Sequence, residues 1–136
     1  QLSILKQQSA DLGISDRVFF KGHQLDFRKQ LSESEIYVLP SVKEGFPNSL
    51  IEAMSLPLAC ISGDFYEGEH DLVQDGVNGL LVPPCDAEAL AKALNDLIGN
   101  VDLRDKIAQE AFKVRNNLAF DRVAKQLEQF ILSQPK

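Results

Sequence analysis

Glu44 and Glu52 are two carboxylates that stand eight positions apart in the sequence. Gly45 and Pro47 follow the first acid, and an apolar-periodic pattern then begins, which predicts a loop leading into a helix. The apolar run Ile36–Leu39 precedes both acids and predicts a buried strand. We therefore expect one acid in the loop at the carboxyl end of a strand and the other on the first turns of the next helix. In an open α/β sheet, ligands bind in the crevice at that end of the strands.

The loop and the helix start also offer a seat for an anion. Pro47 fits the first helical position, because a backbone N–H would have no helical partner there in any case. The amides of Asn48, Ser49 and Leu50 are then expected to point out of the helix N-terminus and, with the helix dipole, to bind phosphate or carboxylate. Gly45 would let a ligand approach the backbone closely.

The two acids flank this anion seat. Glu44 lies ahead of it and Glu52 about one turn inside the helix, so each is placed to accept hydrogen bonds from paired hydroxyls at one end of a ligand. Hydroxyls, phosphate and hydroxyls, in that order, are the layout of a nucleotide-sugar. The alternative is that both glutamates are solvated surface charges, and the pair alone does not separate the two interpretations.

The order of apolar patterns predicts the fold class. Strands and helices alternate up to residue 85, and helices alone follow in residues 86–136, which predicts an α/β fold with a Rossmann-like parallel sheet and C-terminal helices. We expect all strands to be parallel, with right-handed crossovers. The predicted strands are 18–20, 36–39, 58–61 and 80–82, and the predicted helices are 2–12, 25–32, 48–56, 86–98, 103–114 and 123–131.

Composition narrows the functional classes. The chain has 136 residues and a net charge of −6, which argues against nucleic acid or an anionic membrane as the main partner. Two cysteines, Cys60 and Cys85, give no disulfide framework and suggest a reducing compartment. No apolar run is long enough to span a bilayer. Gln1 opens directly on a helical pattern, so we expect a piece of a longer protein.

The spacing of Glu44 and Glu52 resembles the E-x(7)-E motif of retaining GT-B glycosyltransferases of the group 1 type. Further stretches resemble that family in order and at its spacing: D-R-V-F-F-K-G at 16–22, V-L-P-S at 38–41 and D-G-V-N-G-L-L-V-P-P at 75–84, continued by 86–90. The resemblance covers nearly the whole chain. It implies that residues 1–136 are part of the C-terminal, donor-binding Rossmann-like domain of a two-domain GT-B enzyme, truncated at the N-terminus.

The resemblance also implies roles for individual residues. Glu44 would contact the sugar hydroxyls and act in catalysis, whereas Glu52 would bind the ribose. The amides after Phe46 would bind the diphosphate, and the loop at Gly22 and His23 would border the nucleobase. No metal and no other cofactor is expected, because the nucleotide-sugar is a substrate.

The family implies a glycosyltransferase that moves a sugar from a nucleotide-sugar to a glycan or lipid-linked acceptor. The F-P-N-S sequence at 46–49 resembles members that use a UDP-hexose or UDP-HexNAc. Such enzymes build bacterial surface polysaccharides or glycolipids in the cytoplasm, and the full protein could associate with the inner face of the cytoplasmic membrane. The acceptor domain and two diphosphate-binding cations of the family lie upstream of this sequence, so the chain alone is expected to be inactive.

Three departures from the family pattern carry their own expectations. Pro57 stands where the family has a helix-ending glycine, so the helix must end without a positive φ. The acidic residues of 64–71 would repel a diphosphate if they faced it, which leaves a non-catalytic nucleotide-binding or degenerate domain as the alternative function. The first two strands of the domain are also missing, so we expect a disrupted sheet or an exposed apolar edge beside 36–39.

Overall fold

A computed structural model describes residues 1–65 and 72–133 of the chain. Within these ranges the order of strands and helices follows the predicted alternation, with four helices after the last strand. The elements are α1 Leu2–Asp11, α2 Arg28–Ser32, β1 Ile36–Leu39, α3 Asn48–Met54, β2 Ala59–Gly63, β3 Leu80–Val82, α4 Ala87–Gly99, α5 Val101–Phe112, α6 Val114–Asn117 and α7 Phe120–Ser133.

The three strands of the described residues form one parallel sheet in the order β1-β2-β3. Val38 pairs with Ile61, and Ile61 pairs with Leu80 on the other side. All five residues of the central strand β2 are buried, as expected for a parallel strand covered by helices on both faces. The predicted α/β parallel class is therefore confirmed.

Alternating side chains of the strands enter two separate apolar clusters, one on each face of the sheet. Ala59 and Ile61 belong to the cluster that holds Leu97 of α4 and Ile107 of α5. On the other face, Cys60 belongs to a cluster that also contains buried residues of α2, α3, α5 and α6, namely Leu31, Leu50, Ala53, Met54, Ala111 and Val114. Helix α3, which carries Glu52, is thus held on the sheet by three buried side chains of its own.

The predicted strand at 18–20 is wrong. The described residues pair no strand with this segment, and Phe19 is 73% exposed with the Lys21 ammonium 5.6 Å from the centroid of its ring. A strand requires a neighbour for its backbone N–H and C=O groups, and the described part of the chain supplies none. Within the described residues β1 is an edge strand, and its apolar residues are only half-buried, which agrees with the exposed apolar edge that was one of the two expected outcomes beside 36–39.

Several helix ends are fixed by local hydrogen bonds or by a glycine. Asp86 and Asn100 cap α4 and α5 by accepting hydrogen bonds from the backbone N–H groups of Ala89 and Leu103, at 2.9 and 3.0 Å. Helix α1 is followed by Gly13 with a φ of 66°. Helix α3 ends instead in a tight turn in which the Leu56 N–H donates to the Ala53 carbonyl at 3.0 Å. No positive φ is used there, as Pro57 requires.

The turn at 75–79 leads into β3 and is closed by its own polar groups. Asp75 Oδ1 accepts from the Leu81 N–H at 2.8 Å, and Asn78 Oδ1 accepts from the Gln74 N–H at 2.7 Å. The Asn78 side-chain amide also donates to the Leu72 carbonyl at 3.0 Å. A Cβ added at Gly79 would lie 2.7 Å from Cγ1 of buried Val73, so only glycine fits that position.

The segment 66–71 lies outside the described residues. It contains most of the acidic loop and part of the helical turn that the sequence predicts at 70–73. Among the helices that the structure describes, none combines the length and apolar character needed to cross a membrane.

Candidate functional site

The loop between β1 and α3 holds the first acid at the carboxyl end of the sheet. Glu44 is half-buried, and the Ser41 hydroxyl donates to its Oε1 at 2.6 Å. The backbone at Ser41 is itself fixed by close packing, because a Cβ added at Gly63 of β2 would overlap the Ser41 carbonyl oxygen. The end of the central strand thus positions the loop, and the loop positions the Glu44 carboxylate.

The prediction of three free amides at the start of α3 is wrong. Pro47 is the N-cap rather than the first helical residue, with φ −82° and ψ 67°. This tight turn lets the Asn48 N–H donate to the Phe46 carbonyl at 2.9 Å, and the Leu50 N–H donates to the Pro47 carbonyl at 3.0 Å. Among the described residues, the Ser49 N–H alone of the three has no recorded partner. The anion seat therefore offers fewer free donors than the sequence suggested.

Gly45 and Phe46 form the exposed tip of the loop. A Cβ added at Gly45 would meet no atom within 4 Å, and the residue has no positive φ, so the protein itself does not require glycine there. The Phe46 side chain is 63% exposed. Both residues face open space, where a ligand could approach the backbone.

Glu52 lies on the exposed side of α3, as predicted from the spacing of the apolar residues. It lines a groove of about 310 Å³ together with Ser55 and Leu56 of the same helix region and with Arg28 and Arg115. The Glu52 carboxylate thus lies at a concave surface that also carries two guanidinium groups.

Tyr37 lies close enough to Glu44 and Glu52 for both charges to affect its hydroxyl. Burial raises the pKa of its hydroxyl, and the nearby charges of Cys60, Glu44 and Glu52 raise it further, whereas a hydrogen bond with the Ser49 side chain opposes them. The Tyr37 hydroxyl is therefore within electrostatic range of both carboxylates. The sequence identified Tyr37 only as part of an apolar strand.

A second concavity of about 200 Å³ lies where the three strands end. Its walls come from Pro40 after β1, Gly63 of β2, Val82 of β3, and residues 83–87 and Leu90. Such a position agrees with the expected crevice at the carboxyl ends of parallel strands. Cys85 contributes an exposed thiol to this concavity, and its backbone has a φ of 61°. The Cys60 thiol lies in the core instead, where burial raises its pKa to about 12.

The structure does not bring Gly22 and His23 to either concavity. Both residues are exposed in the loop before α2, and Gly22 has a φ of 63°. Their assignment to the nucleobase stays a prediction. Arg28, five residues after His23, lines the Glu52 groove instead, and no sequence motif singled it out.

The described residues offer no cluster of metal ligands. In residues 1–65 and 72–133 no group of three or more histidine, cysteine, aspartate or glutamate side chains could hold a metal ion. Glu67, Glu69, His70 and Asp71 stand close together in the sequence, but their spacing matches no known set of metal ligands, and they lie outside the described residues. A metal-independent reaction therefore stays a prediction.

Comparison with known proteins defines the class of this chain. The profile of the family "Glycosyl transferases group 1" matches residues 1–114. The chain therefore belongs to that family. Its sheet and helices correspond to the C-terminal domain of GT-B glycosyltransferases.

Individual relatives extend the family assignment. The chain is 33% identical over 122 residues to the lipopolysaccharide 1,6-galactosyltransferase of Escherichia coli, covering 85% of this chain and 34% of that enzyme. It is 31% identical over 130 residues to an exopolysaccharide phosphotransferase of Streptomyces coelicolor, covering 95% of this chain and 14% of that protein. The chain thus spans a third or less of the length of these two relatives.

The fold also matches a solved structure with a bound nucleotide. Anabaena HepE in complex with UDP superposes with a TM-score of 0.89 at 25% identity, over 98% of this chain and 37% of HepE. HepE was also solved with UDP-glucose, and that structure matches with a TM-score of 0.86.

Proposed function

We propose that this chain is the donor-binding domain of a retaining glycosyltransferase that takes its sugar from a nucleotide-sugar. The observation that carries the proposal is the placement of Glu44 and Glu52 on either side of one loop and helix start, in a fold whose neighbour HepE was solved with UDP and with UDP-glucose. The donor class that fits best is a UDP-hexose or UDP-HexNAc.

The two acids would have different tasks. Glu44, held by Ser41 at the carboxyl end of β1, would lie beside the sugar, where positive charge develops as the donor bond breaks. A carboxylate there stabilises the transition state more than the ground state. Glu52 would accept hydrogen bonds from the ribose hydroxyls, which change little during the reaction. The free Ser49 N–H and the open backbone at Gly45 would face the diphosphate.

The remaining parts of the reaction belong to a longer protein. Its other domain would bind a glycan or lipid-linked acceptor at the cytoplasmic side, and catalysis would need no metal. A retaining mechanism predicts that the product keeps the anomeric configuration of the donor, which NMR of the isolated product measures.

A second candidate is a domain that keeps the fold but takes no part in sugar transfer. The relative from Streptomyces coelicolor favours this alternative, because a region similar to nearly all of this chain occurs in a protein named as a phosphotransferase. Turnover separates the two candidates: a full-length protein that binds a nucleotide-sugar without releasing UDP in the presence of acceptors would support the second.

NMR titration of the chain with UDP, UDP-glucose and UDP-GlcNAc, in the presence of EDTA, tests donor binding. We expect a Kd on the order of 1 mM, or about −4 kcal/mol, and a several-fold weaker Kd for Glu52→Ala. Glu88→Ala, which removes an equally exposed acid from α4, should leave the Kd unchanged. The chain alone should release no UDP from any donor; a measurable rate would contradict the assignment of an acceptor domain elsewhere.

A further inference from the structure

The groove beside Glu52 has a charge opposite to that of the whole chain. The protein carries a net charge of −6, yet two guanidinium groups and one carboxylate line this surface. Arg28 begins α2, Arg115 lies in α6, and Glu52 lies between them on α3. Three elements that are distant in sequence therefore converge on one concave surface.

Neither arginine has an ion-pair partner recorded within the described residues, where the recorded pairs involve other lysines and Arg104. Arg115 is oriented by packing, because its guanidinium lies 5.0 Å from the centroid of the Phe112 ring. The start of α2 is fixed by the Arg28 N–H, which donates to Asp26 Oδ1 at 3.0 Å. Packing thus orients the Arg115 guanidinium and a hydrogen bond fixes the Arg28 backbone, and within residues 1–65 and 72–133 neither side chain has an ion-pair partner.

The size of the groove suits part of a small ligand. Its volume of about 310 Å³ lies at the lower end of the range for ligand pockets, which is roughly 300–1,000 Å³. If Glu52 binds the ribose, the nucleobase must lie within one glycosidic bond of it, in or beside the same groove. Arg28 and Arg115 line that groove, so both are placed within reach of the base.

A guanidinium has five N–H donors and no acceptor, so it pairs only with a base edge that presents acceptors. Guanine presents O6 and N7, and a uracil-type edge presents O4, whereas adenine places its N6 amino donor beside N7. Arginine at this position would therefore favour uracil or guanine over adenine.

We infer that Arg28 and Arg115 recognise the nucleobase of the donor and select a base with a carbonyl edge. This inference rests on the proposed function, because it places the ribose at Glu52. It assigns roles to two residues that lie outside the E-x(7)-E motif, and it predicts that the domain prefers UDP or GDP to ADP.

The test is an NMR titration of the protein and four alanine variants with UDP, GDP and ADP. Arg28→Ala and Arg115→Ala should weaken UDP and GDP binding by about tenfold each and leave ADP within about twofold. The matched controls are Lys29→Ala and Lys113→Ala, which remove a neighbouring positive charge that already has an acidic partner. Neither control should change any Kd by more than about twofold.

Arg28→Lys separates base recognition from simple charge. It should lose most of the preference for UDP over ADP, because an ammonium lacks the planar donor fork. An equal loss for all three nucleotides in the alanine variants would mean that the arginines bind phosphate, which would overturn base recognition while leaving donor binding intact. Unchanged Kd values would overturn the inference in the same way. Failure of the wild type to bind any nucleotide would overturn both proposals.

Discussion

The loop at 44–49 and the turn at 75–79 look alike in the sequence but differ in where their polar groups point. Both combine an acid, a glycine and an asparagine, and both belong to stretches that resemble the same family. In the turn, Asp75 and Asn78 hydrogen-bond to backbone groups of the chain itself. In the loop, Glu44 has one recorded partner, the Ser41 hydroxyl.

The glycines show the same contrast. Gly79 is enclosed by Val73 and by the Cys60 carbonyl oxygen, whereas a Cβ at Gly45 would meet nothing within 4 Å. The packing of the protein itself explains why residue 79 is glycine. It does not explain the glycine at residue 45, which lies in a loop with an exposed aromatic tip and a free amide, so a ligand is the better explanation there. The comparison therefore assigns stability to the turn at 75–79 and supports the proposed binding role of the loop at 44–49.

The largest expected effect comes from the two acids in the full-length enzyme. Glu44→Ala should lower kcat by roughly a hundredfold or more, or about 3 kcal/mol, because it removes an interaction that strengthens in the transition state. Glu52→Ala should mainly raise the donor KM, since the ribose is bound alike in both states. Steady-state kinetics with UDP release as the readout measures both. A KM effect for Glu44 with a kcat effect for Glu52 would reverse the assignment of sugar and ribose.

Gly79→Ala should produce the next largest effect, on stability alone. The new methyl group would lie 2.7 Å from Val73 Cγ1 and 3.3 Å from the Cys60 carbonyl oxygen, so buried atoms would have to move. Overpacking of this kind costs about 1–3 kcal/mol. Chemical denaturation measures the loss. An unchanged unfolding midpoint would show that the turn does not constrain the core.

Asn78→Ala should have a smaller effect in the same region. It removes one acceptor for the Gln74 N–H and one donor for the Leu72 carbonyl. The loss should be about 1–2 kcal/mol of unfolding free energy. Asn48→Ala is the matched control, because its exposed side chain makes no hydrogen bond within the part of the chain that the structure describes. Its effect on stability should stay within about 0.5 kcal/mol, and equal losses for both variants would remove the distinction between the two regions.

The sequence predicted most of the elements, because their signals are local. The helix predicted to begin at 86 is capped by Asp86, and Ile36–Leu39 forms the predicted strand, although its four residues are half-buried rather than buried. The strand at 18–20 failed because an apolar run predicts a strand only where another strand can pair with it. Pairing depends on residues far away in the sequence, and within the described residues no strand pairs with this segment.

The site was predicted less completely than the fold. The positions of the two acids followed from their spacing, but the geometry of the helix start did not, since Pro47 lies one residue before the helix and two of three amides are used locally. Arg28 and Arg115 reach the Glu52 groove only through tertiary packing of α2 and α6. Long-range convergence of this kind leaves no pattern in a single sequence.

Gly45→Ala should cause the smallest change in stability, and it tests the comparison most sharply. The backbone there needs no positive φ, and the added methyl group meets no protein atom, so the unfolding free energy should stay unchanged or rise by up to about 1 kcal/mol through the lower entropy of the unfolded chain. If the donor approaches the backbone at this point, the same methyl group must collide with it and weaken UDP-glucose binding by about fivefold or more, or roughly 1 kcal/mol. NMR titration and denaturation of one protein sample give both values. A variant that is as stable as the wild type and binds UDP-glucose equally well would show that the open space at Gly45 is not occupied by the donor, and the loop at 44–49 would then hold its ligand through the Glu44 side chain and the Ser49 N–H.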